Sequence, residues 1–395
     1  MSNYLNQYMA EQSSLIVDKI AKDSRVRGRM SALLRKGNLP KGTGWSWQNL
    51  IVNRSTASAG DWTAVSTPAG STNNCTPTAV DLAPAVTTKT FTAAQKLIRS
   101  HKICFTDAMA AYDYEDQIRK FQENMADEVV DQWEDRDTAQ YVANCAHKQI
   151  ANAGLSESSG ATFPATAPTR YLDMTLLNII YTQMLQDGAG SNGKFPTVRG
   201  APQFPLLVSS EQLENVISRD ATTRLAFEYA EMGEADNATL LKSWAADRAL
   251  GGWLFIVNNK MPRYDFVNGA WVQRSFYDAH GTTIGSQAEV SAAYNGAQYE
   301  LVIPFHPDVA VRLTPTPIGS VGGMTSGRAV NYNGDIIWVN AVNTDASSDE
   351  YNPLGNQGRF YAPLMAAYKA ENPRFGRAIM VKRCVGFGAQ TACYS

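Results

Sequence analysis

Apolar and polar positions separate most cleanly between Asp113 and Ala153, a stretch that no proline or glycine interrupts. Ile118, Phe121, Met125, Val129 and Trp133 recur at close to 100° per residue, the spacing of one helix face. The stripe runs on through the smaller Ala139, Ala143 and Ala146 to Ile150, which would let another backbone approach closely. Asp116, Glu123, Asp127, Asp131 and Glu134 fall together on the other side. The pattern predicts one helix over 113–153, about 60 Å long at ~1.5 Å per residue. Helices of that length usually belong to coiled coils, membrane spans or repeats. Here no heptad is sustained, one side is acidic and nothing recurs elsewhere, so the segment reads as a spine.

Before it, Leu5, Met9, Ile16 and Ile20 are spaced as on an amphipathic helix that Gly37, Pro40 and Gly42 end. So short an apolar face finds no partner within its own segment and needs a surface to lie on. Trp45 to Val52 is predicted as a strand with Trp45 and Trp47 on one face, and Val86 to Phe91 as its counterpart. The intervening residues 55–84 are mostly Ser, Thr, Gly, Pro and Asn. They suit either a disordered linker or the tip of a two-stranded arm; the flanking β-favouring runs, each lacking another nearby partner, argue for the arm.

After the spine, 156–169 reads as a loop and Tyr171 to Leu185 as an amphipathic helix. Phe204 to Val208 is a short buried strand leading into a helix, with Ser209 and Gln212 placed as a capping box. Trp253 to Val257 is another apolar strand, stopped by Asn258–Asn259–Lys260 and Pro262. Further strands are predicted at Trp271–Phe276, Tyr299–Phe305, Val309–Leu313, Ile336–Val339 and Ala378–Val385. This irregular alternation implies an α+β fold rather than a doubly wound parallel sheet.

Charge changes the picture more than composition does. A chain of 395 residues can bury a sizeable core, and its formal net charge is only −2. Yet residues 1–60 are strongly basic and Asp113 to Asp137 strongly acidic, so one part of the molecule can attract another part, or a copy of itself. Arg25, Arg27, Arg29, Arg35 and Lys36 suit nucleic acid phosphates or an acidic protein face, and no aromatic residues stand near them to stack bases. Five scattered cysteines without a CxxC pair predict reduced thiols. Residues 1–34 lack a signal-peptide core, and no apolar run reaches about 18 residues.

Candidate chemistry is sparse. Gly188, Gly190 and Gly193, followed by Lys194, have the spacing of a phosphate cradle. A predicted helix precedes them where a strand is required, so they read as a surface turn. The four histidines show no HxxxH or HExxH spacing. Glu123 and Asp127, four apart on a charged face, read as solvated or paired with a basic partner rather than as a general acid–base couple. No catalytic, cofactor-binding or metal site is expected.

The order of parts (amphipathic arm, long β-loop, acidic spine helix, mixed body) resembles the major capsid proteins of tailed bacteriophages, with the Hong Kong 97-like fold. "FPLLVSSEQLENV" at Phe204 to Val216, "LGGWLFIVNNKMP" at Leu250 to Pro262 and "AENPRFGRAIMVKR" at Ala370 to Arg383 carry the local likeness. The resemblance implies an N-terminal arm over 1–44, an extended loop over 45–100, a peripheral domain with the spine over 101–170, an axial domain over 171–345 and a return to the peripheral domain over 346–395. Stretches 264–298 and 314–350 are longer than a minimal axial domain needs and read as insertions. The implied function is a non-enzymatic structural protein without cofactor, self-assembling into hexamers and pentamers of an icosahedral head around double-stranded DNA. Its implied location is the virion capsid, assembled in the host bacterial cytoplasm, with no membrane involved. Implied partners are a separate scaffolding protein, a portal, a decoration protein and, non-specifically, packaged DNA. An encapsulin-like compartment shell and, further off, a soluble α+β enzyme are the alternatives. Subunit contacts are expected from Leu5, Met9, Ile16, Ile20, Arg25, Arg27, Arg29, Arg35, Lys36, Trp45, Trp47, Glu123, Asp127, Asp131 and Glu134. Reversing Asp127 and Asp131 to lysine is accordingly expected to hinder assembly without unfolding the subunit.

Overall fold

The computed structural model describes residues 29–38, 46–52, 86–92, 94–99, 103–104, 114–158, 162–192, 195–198, 201–219, 247–250, 252–276, 292–314, 327–332, 335–343 and 357–384. A short helix, Arg29–Leu33, leads into strand β1 (Arg35–Asn38). Strands β2 (Ser46–Val52), β3 (Val86–Thr92), β4 (Ala94–Arg99) and β5 (Ile103–Cys104) precede the long helix, Tyr114–Asn144. Then come β6 (His147–Ala151), β7 (Leu155–Glu157) and the helix Met174–Gln186. Strands β8 (Thr197–Val198), β9 (Ala201–Pro202) and β10 (Phe204–Val208) lead to the helix Ser210–Arg219. Next are β11 (Asp247–Leu250), β12 (Trp253–Val257), β13 (Arg263–Val267), β14 (Ala270–Arg274) and the short helix Ala292–Gly296. The chain closes through β15 (Tyr299–Pro304), β16 (Val311–Thr314), β17 (Gly327–Tyr332), β18 (Asp335–Asn343), β19 (Gln357–Lys369) and β20 (Arg377–Lys382).

These make an α+β fold with two mixed sheets. One runs β11-β12-β10-β15-β20-β6-β7, and the β13–β14 hairpin joins it through β15. Pairs β10/β12 and β20/β6 are parallel, and the rest are antiparallel. Leu301 to Pro304 and Arg377 to Val381 are buried without a break, as in strands covered on both faces. The second sheet runs β1-β16-β19-β18-β17, with β4 and β5 also pairing to the 13-residue β19. Strands β2 and β3 form a separate two-stranded ribbon, Ser46 opposite Thr92 through Val52 opposite Val86. That pairing is the one expected of an arm; residues 55–84, its predicted tip, lie outside the described residues.

The long helix stops earlier than its pattern predicts. At 31 residues it is about 46 Å long, and residues 147–151 are strand, not helix. Tertiary bonding overrides local periodicity here. The Ala146 and His147 amides donate to the Pro373 and Gly376 carbonyls (3.0 and 3.1 Å), and β6 then aligns with β20, His147 opposite Arg377. Ala139, Ala143 and Ala146, predicted to receive a neighbouring backbone, are exposed. The close approach falls instead at Cys145, whose Cα would lie 2.9 Å from a Cβ on Gly376.

The Met174–Gln186 helix begins at Asp173, whose carboxylate accepts from the Leu176 amide (2.8 Å). It buries Leu176, Leu177, Ile180 and Met184. Trp253 reaches across from β12, its indole N–H donating to the Leu177 carbonyl. Ser209 caps the following helix, accepting from the Gln212 amide at 3.3 Å. The capping box is only half formed, because the Gln212 side chain donates to the Lys382 carbonyl instead. Gly252 sits at φ +87 before β12, where a Cβ would lie 2.5 Å from the Tyr181 ring. Gly252→Ala combines a left-handed backbone with that clash and is expected to cost about 1–3 kcal/mol, read as a lower urea midpoint. An unchanged midpoint would show that the Tyr181 ring moves aside freely.

The cysteine expectation needs correction. Cys145 is a buried free thiol whose pKa burial pushes far up. Cys384, however, is disulfide-bonded, to a partner side chain outside those described.

Candidate assembly surfaces and the buried acidic face

Several residues expected at subunit contacts (Leu5, Met9, Ile16, Ile20, Arg25, Arg27 and Trp45) lie outside the described residues. Trp47 stands opposite Phe91 in the ribbon, and Glu123 lies within the long helix. Arg29 opens the short helix and is half-buried. Arg35 keeps 46% of its side chain exposed yet pairs within the chain, to Asp308 (3.1 Å) and Glu371 (2.7 Å). Lys36, half-buried, stands opposite Arg312 in the β1–β16 register.

Among the described residues, the acidic side of the long helix turns inward from Asp131 to Asp137 instead of facing solvent. Asp127 is half-buried, but Asp131 is 4% exposed, Glu134 2% and Asp137 0%. From Ala126 the buried stripe steps through Val130, Glu134, Asp137 and Tyr141 to Cys145, at the three- and four-residue spacing of a seam. The acids sit on the seam because the chain brings donors to them. Lys260, in the turn after β12, forms an ion pair with Asp131. Arg312 of β16 forms one with Asp137 and stacks 4.4 Å over the Trp133 ring. Asp137 also accepts from the Ser31 hydroxyl (2.5 Å) and the Tyr368 hydroxyl (2.6 Å). Burial first, and the Asp137 charge after it, push the Tyr368 pKa up, so this phenol stays a neutral donor.

Glu134 differs from both neighbours. Its carboxylate accepts from the backbone amides of Met30 (2.8 Å) and Ser31 (3.0 Å) and from the Asn258 side-chain amide (2.9 Å). All three donors are neutral. Met30 and Leu34 flank these bonds and are buried in the main core. Among the described residues, the segment 29–34 is tied to the long helix by the Met30 and Ser31 amides on Glu134 and by the Ser31 hydroxyl on Asp137. Ser31, Asp137, Asn258, Lys260, Arg312 and Tyr368 are the members that sequence reasoning missed. The spacing 127, 131, 134 marks one helix face and does not by itself tell a buried face from a solvated one.

Further along, Tyr141 pins the helix to β15. Its hydroxyl donates to the Pro304 carbonyl (3.2 Å), accepts from the His306 amide (2.8 Å), and its ring stacks on Phe305. A second buried charge network joins Glu300 to Arg263 (2.8 Å) and Ser209, and Glu211 to Arg383 (2.8 Å), fixing β13, β15 and the Ser210–Arg219 helix together. Residues 264–274, within the stretch 264–298 read from sequence as an insertion, pair with this sheet through β15, with Trp271 packed among Phe163, Tyr264, Phe266 and Tyr299. Of the glycine pattern, Gly188 has φ 79 just after the Met174–Gln186 helix, and Gly193 and Lys194 lie outside the described residues. Among the described residues no group of three or more His, Cys, Asp or Glu is placed to hold a metal ion, and no helix is long and apolar enough to cross a membrane.

No protein-family model matches the chain, and no curated protein does. Among solved structures it is similar to the capsid of Cyanophage Pam1, at 11% identity and TM-score 0.46, over 90% of this chain and 92% of that one. It is similar to the capsid of Ralstonia phage GP4 at 12% identity and TM-score 0.45, over 89% and 87% of the two chains. An encapsulin from Synechococcus elongatus is similar at 9% identity and TM-score 0.42, over 89% and 85%. What the chain is similar to is, for the most part, the capsids of bacteriophages.

Proposed function

We propose that this chain is a major capsid protein of the Hong Kong 97-like kind, self-assembling into the hexamers and pentamers of an icosahedral phage head that encloses double-stranded DNA. One observation carries the reading. Among the described residues, the β2–β3 ribbon is a two-stranded sheet of its own ahead of the long helix. A lone two-stranded ribbon is marginal in water and gains stability by lying on another surface, and a neighbouring subunit supplies one. In this reading residues 1–44 are an arm and 45–100 an extended loop, both laid over neighbours. Residues 101–170 and 346–395 form the peripheral domain, and 171–345 the axial domain. Apolar contact comes from Leu5, Met9, Ile16, Ile20, Trp45 and Trp47, while Arg25, Arg27, Arg29, Arg35, Lys36, Glu123 and Asp127 set register. Asp131 and Glu134, also expected at subunit contacts, are buried and bonded within their own chain, so this reading does not rely on them.

Electron microscopy of the purified protein, alone and co-expressed with the genes beside its own, tests this. Closed shells with five- and six-fold units are expected. Discrete monomers or small oligomers under both conditions would overturn the proposal, and shells filled with protein rather than DNA would turn it into an encapsulin-like compartment.

A further inference from the structure

We propose that Glu134 is a proton-controlled latch: protonated, it holds residues 29–34, and with them the root of the N-terminal segment, against the long helix; deprotonated, it lets them go. The inference stands on the accounting of charge around one buried carboxyl. Asp131 has Lys260 and Asp137 has Arg312. Glu134, between them and 2% exposed, has the Met30, Ser31 and Asn258 donors, all neutral, and the like charge of Asp137 beside it. Of the remaining charged groups at the segment itself, Arg35 is bonded to Asp308 and Glu371, and Arg29 is not among the groups that act on Glu134. These neutral hydrogen bonds, with a further contribution from the Ser31 hydroxyl, offset only part of the cost of burying a carboxylate.

The geometry shows how the proton acts. A neutral carboxyl keeps Oε1 as the acceptor for Met30 and Asn258 and places the proton on Oε2, which still accepts weakly from Ser31. A charged carboxylate needs water, and the material that keeps water out is the segment 29–34 with its buried Met30, Ser31 and Leu34. Lifting that segment hydrates Glu134. The lift has a natural limit, because β1 stays paired to β16 and Arg35 stays bonded to Asp308 and Glu371.

The direction follows from linkage. Burial, the largest cause, raises the Glu134 carboxyl from an ordinary 4.5 to about 7 while the segment is seated. A lifted, hydrated carboxyl returns toward its ordinary value. The seated form therefore binds the extra proton between those limits, is favoured most below about 4.5, and is lost progressively as pH rises to about 7. Above that the seated and lifted forms are both charged and the balance levels off.

Hydrogen exchange of the Met30 and Ser31 amides in the full-length, unassembled chain reads this directly once the base catalysis of exchange itself is divided out. Protection is expected to fall by up to about two orders of magnitude between pH 5 and 7 and then to level, while β15 amides stay flat. Glu134→Gln, which cannot ionise, is expected to flatten the Met30 and Ser31 profile. A flat wild-type profile overturns the proposal, as does a Glu134→Gln chain that keeps the slope. Should that variant fail to fold, the wild-type profile alone decides.

Discussion

Asp137→Ala is expected to destabilise the subunit by about 3–5 kcal/mol, because it removes one partner of a buried pair and leaves the other charge behind. Arg312 is 1% exposed and loses the carboxylate it bonds, and the Ser31 and Tyr368 hydroxyls lose their acceptor in the same step. A folded domain has only about 5–15 kcal/mol in hand, so a large fraction of the margin goes with one side chain. Asp137→Asn keeps the shape and one acceptor oxygen and is expected to cost less. So is the double change Asp137→Leu with Arg312→Met, because both charges of the pair then leave together, although Ser31 and Tyr368 still lose their acceptor. Urea unfolding followed at constant slope ranks the three. If the alanine variant lay within 1 kcal/mol of wild type, the network would have to be looser than its geometry implies.

The contrast between Asp137 and its neighbours shows how much of this molecule is legible in its sequence. Local signals read well wherever a segment's own residues set its structure. The strands Phe204–Val208 and Trp253–Val257, and the Asn258–Lys260 turn, lie where apolar runs and turn residues place them. The pairing of Trp47 with Phe91 follows from two β-favouring runs with no other partner near. Local reading fails where a distant segment decides the outcome. Residues 147–151 carry helical periodicity, yet they become strand because Pro373, Gly376 and β20 offer a backbone to pair with. Strand β19 has no counterpart among the predicted strands; it gains its length by pairing along both edges, with β16, β18, β4 and β5. The acidic face is the plainest case. Carboxylates on a helix usually mean a solvated side, and only the arrival of Ser31, Lys260, Arg312 and Tyr368 from four separate elements makes burial tolerable. No local window contains that information.

The same burial changes what a charge reversal on this helix tests. Asp131→Lys is expected to cost about 3 kcal/mol, toward the lower end for a broken buried pair. It would set a second ammonium against Lys260 at a site where Asp131 is 4% exposed. The cost stays toward that end because the Lys260 side chain keeps 19% of its surface in water and lies 5.1 Å from the Phe276 ring, which gives the cation somewhere to turn. A loss of assembly in that variant would accordingly report a weakened subunit rather than a lost contact between subunits, and the half-buried Asp127 alone is the cleaner reversal for assembly. Exchanging both partners, Asp131→Lys with Lys260→Asp, restores opposite charges across the same gap. Stability is expected to return by at least half, giving a coupling energy of about 1–3 kcal/mol in the double-mutant cycle. Recovery should be incomplete, since the carboxylate introduced in the turn sits on a shorter side chain than the lysine it replaces. Denaturant midpoints of the four proteins in the cycle measure this. Additive single costs, with no recovery in the swapped chain, would mean that Asp131 and Lys260 act independently and that the seam is held by Glu134, Asp137 and Tyr141 instead.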